Sequence, residues 1–397
     1  MIKFNNAKVK ENYFLSQPHQ PFFVLGVINA LIMMLIFALS YRNIVDIKMD
    51  IKGFHVYSLI FLVFTNFFIG FLFTTFSKFC QSENLDRKTY LNIFYLNIFA
   101  SFLLIFGLVF SQNLLIVGMT LSFISQSYVV LKLYNIYKNG YSQNKKDPFW
   151  IFVAFCFGLA GNLLFIVSNY IISLNNIAIN LSFYMYVIFL TFCVAQRMIP
   201  FFSHSIKPKN DKFISIVFLL FIFQTIASIY DYNIYFKYFE IILDVIFGIY
   251  LLKEFIRWKL PIFTSPAILW ILHLGLFWLP IALFISALCL SLEIFFNLNF
   301  YFLSIHIVAI GFLLTIFIGF GTRVSLGHSG EVPHANLLAK SIFILVQFVL
   351  LFRVLFSLNI AFEMSLNFFF DISFLFWIVI FLVWGWNYGK ILVFKKA

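Results

Sequence analysis

Residues 304–321 read SIHIVAIGFLLTIFIGFG, and the chain continues as TRVSLGHSG through residue 330. The first stretch is an almost unbroken apolar run of about the 20 residues that an α-helix needs to cross a lipid bilayer. It contains His306, and an imidazole inside a membrane helix is costly unless it has a partner. We interpret the second stretch as a compact loop that brings Arg323 and His328 to the helix end. Together the two stretches predict a polar group or a metal held in or beside the membrane.

The composition of the whole chain indicates the same environment. Of its 397 residues, 63% are hydrophobic and 11% are charged, and the mean hydropathy is +0.99. These values lie far from those of soluble domains. In a soluble protein a net charge of +12 would indicate nucleic-acid binding. In this chain the basic residues cluster in alternate loops, as membrane topology requires. We therefore expect a lipid bilayer, and no nucleic acid, as the partner.

Apolar stretches of membrane-spanning length recur twelve times along the chain. They lie at residues 21–41, 54–76, 91–110, 112–136, 149–172, 177–199, 213–231, 234–256, 265–291, 298–320, 336–357 and 367–391. Because the joins are short, we predict an all-α, polytopic integral membrane protein with about twelve transmembrane helices. Residues 1–20 and 392–397 are expected to form cytoplasmic tails, and residues 21–391 a single membrane domain.

The basic residues also predict the orientation of these helices. Of the 27 Lys and Arg residues, 22 fall on one side of the predicted membrane. The other side has Arg42, Lys48, Lys52, Lys237 and Arg353. Since cytoplasmic loops carry the excess of Lys and Arg, both termini are expected in the cytoplasm.

Histidines inside the apolar stretches are candidate metal ligands. His273 and His306 each lie about 12 Å inside opposite faces of the predicted membrane, at about 1.5 Å of rise per residue. In a hydrocarbon core of about 30 Å their heights are similar. Because consecutive helices usually pack side by side, we predict that the two imidazoles share one site. The alternative is that each histidine only hydrogen-bonds a neighbouring helix.

Two further histidines lie near helix ends. His55 opens the second predicted helix at its periplasmic edge, above His306, and is a further candidate partner of His306. His328 follows the tenth predicted helix on the cytoplasmic side. We predict that His328 clusters with Arg323, and that Arg197 and His204 are further members of that cluster.

Two acidic residues stand out within the eighth apolar stretch. Glu240 and Asp244 are four residues apart, so they share one face of a helix. They suit a proton path or a counter-charge to a metal, against the simpler interpretation of a pair neutralised by Lys237 or by protonation. They also leave open two other protein classes, a proton-coupled twelve-helix secondary transporter and an assembly factor without a cofactor.

Several segments, taken in chain order, resemble one protein family. They are QPHQPFF at 17–23, GFH at 53–55, RMIPFF at 197–202, LHLG at 272–275, His306, and RVSLGHSG at 323–330. In this order they are similar to the NnrS family, bacterial inner-membrane proteins of the nitric-oxide response that carry haem and copper. Ser329 replaces a threonine of the family pattern. Tyr57 and Ser58 stand where many members have a second histidine and a glutamate.

The resemblance implies a function and a set of site residues. It implies a multi-pass protein of the bacterial cytoplasmic membrane that protects against nitric oxide, by binding it or turning it over at a metal centre. It implies haem, of the b type, and copper as cofactors. The metal-related residues would be His55, His273, His306 and His328. Arg323 would pair with a haem propionate or brace its loop. Catalysis and the oligomeric state stay open.

Overall fold

A computed structural model describes residues 12–205, 207, 210–330 and 333–394. In this part of the chain every predicted apolar stretch coincides with a helix. The helices are α1 His19–Tyr41, α2 Ile51–Cys80, α3 Arg87–Phe110, α4 Gln112–Asn139, α5 Lys146–Ser168, α6 Leu174–Phe202, α7 Phe213–Ile229, α8 Ile234–Arg257, α9 Ala267–Phe296, α10 Leu303–Ser329, α11 Leu337–Ala361 and α12 Phe368–Phe394. A short 3-10 helix, Tyr13–Leu15, precedes α1.

Ten of the described helices are long and apolar enough to cross a membrane. Helix α7 is a shorter apolar helix, and α8 carries Lys237, Glu240 and Asp244 within its first turns. The all-α, polytopic membrane class is therefore confirmed. The number of twelve crossings, the cytoplasmic position of both termini and the limits of the two tails stay predictions. Residues 1–11 and 395–397 of those tails lie outside the described residues.

Capping side chains explain where several helices begin. The Asp50 carboxylate accepts a hydrogen bond from the Gly53 backbone N–H at 2.8 Å, at the start of α2. The Asn336 side chain accepts one from the Ala339 N–H at 2.8 Å, at the start of α11. Each cap satisfies one of the free N–H groups in a first helical turn.

Helix α10 is longer than the sequence predicted. It runs to Ser329, so the stretch TRVSLGHSG, interpreted above as a loop, is helical almost to its end. Gly330, at φ +87°, ends the helix in the left-handed conformation that glycine adopts without a side-chain clash. The prediction of a loop was wrong because a helix accommodates a single glycine such as Gly327. His328 therefore belongs to the last turn of α10.

The helices form three successive groups of four that pack in the same order. In each group the first helix packs on the second and the third on the fourth. The last helix of one group then packs on the first helix of the next, as α4 on α5 and α8 on α9. Helix α12 packs back on α1, so the three groups close into a ring.

The second helix of each group lies at the centre and contains a π-helical segment. The segments are Ser58–Phe64 in α2, Leu181–Ile188 in α6 and Ile307–Leu314 in α10. Within their apolar windows these helices are 89%, 89% and 78% buried, more than the other helices of membrane-spanning length. A π turn adds a residue to a helical turn and is frequent at functional sites. All three central helices are therefore candidate walls of a functional site.

Buried amides link neighbouring helices. The Asn97 side chain donates to the Asn66 carbonyl at 2.9 Å, and Asn162 donates to Gln126 at 2.9 Å. In a membrane such bonds and close packing hold helices together, because lipid is as apolar as the helix surfaces.

Candidate functional site

A large cavity lies between the three groups, towards the end of the bundle that the charges predict to be periplasmic. Its volume is about 440 Å³, within the range of sites that hold small molecules and cofactors. Side chains of α1, α2, α6, α10, α11 and α12 line it, and each of the three π-helical segments contributes. Most lining residues are apolar, and His55, His306, Lys52 and Arg353 are the basic ones.

His55 and His306 face each other across this cavity. Their ring centres are 6.4 Å apart and the ring planes differ by 24°. His55 precedes the π segment of α2 and His306 immediately precedes that of α10. Two imidazoles that bind one metal from opposite sides, at about 2 Å per bond, have ring centres roughly 6 Å apart. The spacing therefore suits one metal ion between the two rings.

Hydrogen bonding and stacking orient the two rings. His306 Nδ1 lies 2.8 Å from the Phe302 carbonyl oxygen. Because a carbonyl only accepts, Nδ1 carries the proton and Nε2 keeps its lone pair for a ligand bond. This is the usual arrangement of a metal-binding histidine. The His55 ring packs on Phe37 with the ring centres 4.0 Å apart.

Arg353 supplies a buried positive charge beside both histidines. Its guanidinium donates to the Ser357 hydroxyl at 2.6 Å and to the Tyr301 carbonyl at 3.2 Å. Only 7% of the residue is exposed. In the described residues no carboxylate pairs with it, so its charge is available to an anionic group in the cavity. Lys52, 4.8 Å above the Phe302 ring, adds a second cation at the same rim.

His19 and His328 form a second pair, at the opposite end of the bundle. Their ring centres are 4.7 Å apart with an angle of 35° between the planes. His19 is 2% exposed, and its Nδ1 has no hydrogen-bond partner in the protein. Close packing fixes its backbone, since a methyl group placed on Gly70 would lie 3.1 Å from the His19 Cα atom.

The predicted pairing of His273 with His306 is not found. A methyl group on Gly319 of α10 would lie 2.6 Å from Leu272, which places His273 near residue 319 of α10. That level is about 20 Å along α10 from His306. The prediction failed because α9 and α10 have 30 and 27 residues, so each is about 40 Å long or more, and histidines near opposite ends do not meet. Instead, His273 Nε2 shares a hydrogen bond of 2.7 Å with the Ser203 hydroxyl.

Arg323 lies far from the large cavity. Its guanidinium is 3.9 Å from the centre of the Phe202 ring, so it braces α10 against the end of α6. The predicted cluster of His328 with Arg323, Arg197 and His204 does not form around His328. Arg197 instead forms an ion pair of 2.8 Å with Asp147.

Two residues near the histidine pairs were not among the predicted site residues. His19 lies within the motif QPHQPFF, but it was not among the candidate ligands. Arg353 had served only as a topology signal, although an arginine inside an apolar helix is a functional candidate by itself. His328 is distant in sequence from His19, and His55 and His306 are distant from Arg353. The sequence alone therefore could not bring these residues together.

The donor chemistry of the two pairs fits different groups. In the part of the chain that is described, no three or more His, Cys, Asp or Glu residues form a group that could hold a metal ion. Each histidine pair would therefore offer a metal two imidazoles, which suit iron, copper, zinc or nickel. The His55–His306 pair adjoins a cavity large enough for an organic cofactor.

A family model described as NnrS protein matches residues 13–396, which include both histidine pairs and Arg353. No curated protein matches the chain.

Proposed function

The chain belongs to the NnrS family, and from this premise we propose that it is a haem- and copper-binding membrane protein that protects against nitric oxide. Membership of this family supports a role in the nitric-oxide response. Haem would be held between His55 and His306, and copper at His19 and His328. These assignments refine the sequence-based set by adding His19.

One observation carries the haem proposal, namely the facing imidazoles of His55 and His306 at a cavity of about 440 Å³. The apolar lining suits a porphyrin, and the imidazoles of His55 and His306 would hold its iron. When bound, haem supplies an iron that binds nitric oxide and exchanges electrons. Arg353 and Lys52 would neutralise the propionates, the negatively charged groups of that cofactor.

The copper proposal rests on the His19–His328 pair. Two imidazoles with ring centres 4.7 Å apart converge closely enough to share one ion, and His19 Nδ1 has an unused, buried lone pair or proton. A free ring nitrogen in a buried site is the group that a metal would satisfy. His273 is assigned to neither centre, because its Nε2 bonds Ser203 and, although its Nδ1 also lacks a partner, no second histidine ring contacts it among the described residues.

The location of both pairs suits the physical properties of nitric oxide. It is small, neutral and apolar, so it concentrates in the lipid phase in which this helix bundle lies. A centre within the bundle meets it there without moving it through water. We propose the bacterial cytoplasmic membrane as the location, from the family and from the distribution of basic residues.

The alternative of a proton-coupled transporter receives less support. Its candidate residues, Asp244 and Glu240, are not among the residues that line the large cavity. A solute in that cavity would meet histidines and Arg353 instead of the two carboxyl groups.

The test is the visible spectrum and metal content of the full-length protein, purified in detergent from haem-replete cells. We expect a Soret band with the features of low-spin haem, together with one iron and one copper per chain. His55→Ala and His306→Ala should remove haem, whereas His19→Ala and His328→Ala should remove copper and leave the haem spectrum.

The matched control is His334→Ala, because His334 is exposed, lies six residues beyond His328 and belongs to neither pair. It should change neither metal. Folded protein without haem and without copper would refute the proposal. Loss of haem in His273→Ala with retention in His306→Ala would refute the residue assignment.

A further inference from the structure

Helix α8 buries two carboxyl groups away from the large cavity. Glu240 and Asp244 are one turn apart, with exposures of 6% and 0%. Their face of α8 packs against α7 and α9, while Ile242, Ile246 and Ile249 on other faces are exposed as lipid-facing residues are. An ionised carboxylate in such a place is expensive without a cation or donors.

The hydrogen bonds distinguish the two acids. Glu240 Oε1 accepts from the Gln224 side-chain amide at 2.7 Å and from the Ser228 hydroxyl at 3.0 Å. Both oxygens of Asp244 are buried without a hydrogen-bond partner, and so is Gln224 Oε1. An ionised Asp244 and the Gln224 carbonyl only accept hydrogen bonds, so neither can satisfy the other. A protonated Asp244 would supply a donor for Gln224 Oε1 and would remove the buried carboxylate charge.

The surrounding charges point to the same state. Lys237 forms an ion pair of 2.8 Å with Glu293 of α9. The positive charge of Lys237 and the negative charge of Asp231 also interact electrostatically with Glu240. The other groups that face the pair are neutral hydroxyls, Tyr184 of α6 and Ser286 of α9. Among the described residues no cation compensates Asp244.

We propose that Asp244 is a buried proton-binding site that exchanges its proton with water at the α8 N-terminal end, past Glu240. On uptake, water at that end gives a proton to the Asp244 carboxylate, and the new O–H donates to Gln224 Oε1. On release, the proton returns to water and the carboxylate is regenerated, so no other bond changes. Glu240 lies between Asp244 and the helix start, near which Asp231 is exposed, whereas Ser228 is buried beside Glu240.

Infrared spectroscopy of the full-length protein in lipid nanodiscs tests this proposal. At neutral pH we expect the C=O stretching band of a protonated carboxylic acid, shifted when H₂O is replaced by D₂O. Asp244→Asn should abolish the band, and the protein should stay folded because the new amide can still donate to Gln224 Oε1. Asp231→Asn is the matched control, since Asp231 is exposed, and it should leave the band in place.

A second variant tests the acceptor. Gln224→Met removes the side-chain carbonyl that accepts the hydrogen bond from protonated Asp244. The C=O stretching band of Asp244 should therefore move to higher frequency. A wild-type protein without the band, or a band that persists in Asp244→Asn, would overturn the proposal. A band that disappears when choline chloride is replaced by sodium chloride would also overturn it, because the site would then hold sodium. None of these results depends on haem, copper or nitric oxide.

Discussion

Arg353 is the residue on which the electrostatics of the large cavity depend. It is buried in α11, and its guanidinium makes bonds to Ser357 and Tyr301 that hold it at the cavity wall. A buried guanidinium needs a negative charge, and the described residues provide none beside it. An anionic cofactor would complete the site.

We predict that Arg353→Met weakens haem retention. The loss of one charge-assisted interaction, about 2 kcal/mol, corresponds to roughly a 30-fold loss of affinity. The measurement is the haem remaining after competition with apomyoglobin, followed by the Soret absorbance.

Arg42→Met is the control for this change. Arg42 forms an exposed ion pair with Asp371, and such pairs contribute only about 0–1 kcal/mol. Haem retention should stay as in the wild type. Equal retention in both variants would show that Arg353 does not bind the cofactor.

The π-helical segments decide, at the level of the element, which way the cavity histidines point. An extra residue between His55 and the rest of α2 rotates the first turns of that helix relative to its buried centre. A π-helical segment also follows His306 in α10, and both imidazoles point towards the large cavity. This rotation cannot be read from regular helical periodicity.

We predict that deletion of Leu59 turns His55 away from the cavity. Removing one residue takes the extra residue out of the π segment and changes the position of the preceding turns relative to the buried centre of α2. Haem should be lost while the helix content, measured by circular dichroism, and the copper content stay unchanged. Leu59→Ala, which keeps the register, should retain haem.

Close contact between α1 and α2 positions His19 for its partner. A side chain on Gly70 would meet Phe23, the His19 backbone and Phe22, all within 3.1 Å. Gly70→Leu should therefore push α1 away, cost about 1–3 kcal/mol and lower copper content more than haem content. Metal analysis of the purified variant measures this.

Gly389→Leu is the matched control, because nothing lies within 4 Å of a Cβ atom at Gly389. It should leave both metals in place. Copper loss in both variants would mean that the α1–α2 contact is not what positions His19.

At the scale of the whole molecule, closure of the ring brings distant parts of the chain together. Trp384 of α12 is 1% exposed, donates to the Thr322 hydroxyl at 3.1 Å, and contacts Phe23 and Phe67. It thus joins α12 to α10, α1 and α2, which carry all four histidines of the two pairs.

We predict that Trp384→Ala destabilises both candidate centres at once. Removing a buried tryptophan costs about 3–5 kcal/mol. Haem and copper should be released at a common, lowered temperature in a thermal scan. Trp386→Ala is the control: Trp386 is 70% exposed, so the change should be within about 0.5 kcal/mol. Release of only one metal by Trp384→Ala would contradict this role.

The sequence by itself determined the fold class and the family. Membrane-length apolar runs leave a helix as the only structure that satisfies the backbone in lipid, so each run predicted a described helix. The motif order, through RVSLGHSG at 323–330, predicted the NnrS family, which the match to residues 13–396 confirmed. The individual candidates His55, His306 and His328 also came from the sequence.

Only the tertiary structure decided which of these residues meet. His55 faces His306 across some 250 residues of sequence, and His19 meets His328 from the opposite ends of the chain. Their contacts depend on ring closure, on π turns that reset the direction of a side chain, and on helices longer than the bilayer core. These features cannot be predicted from local periodicity, because they arise from packing between helices that are distant in the chain.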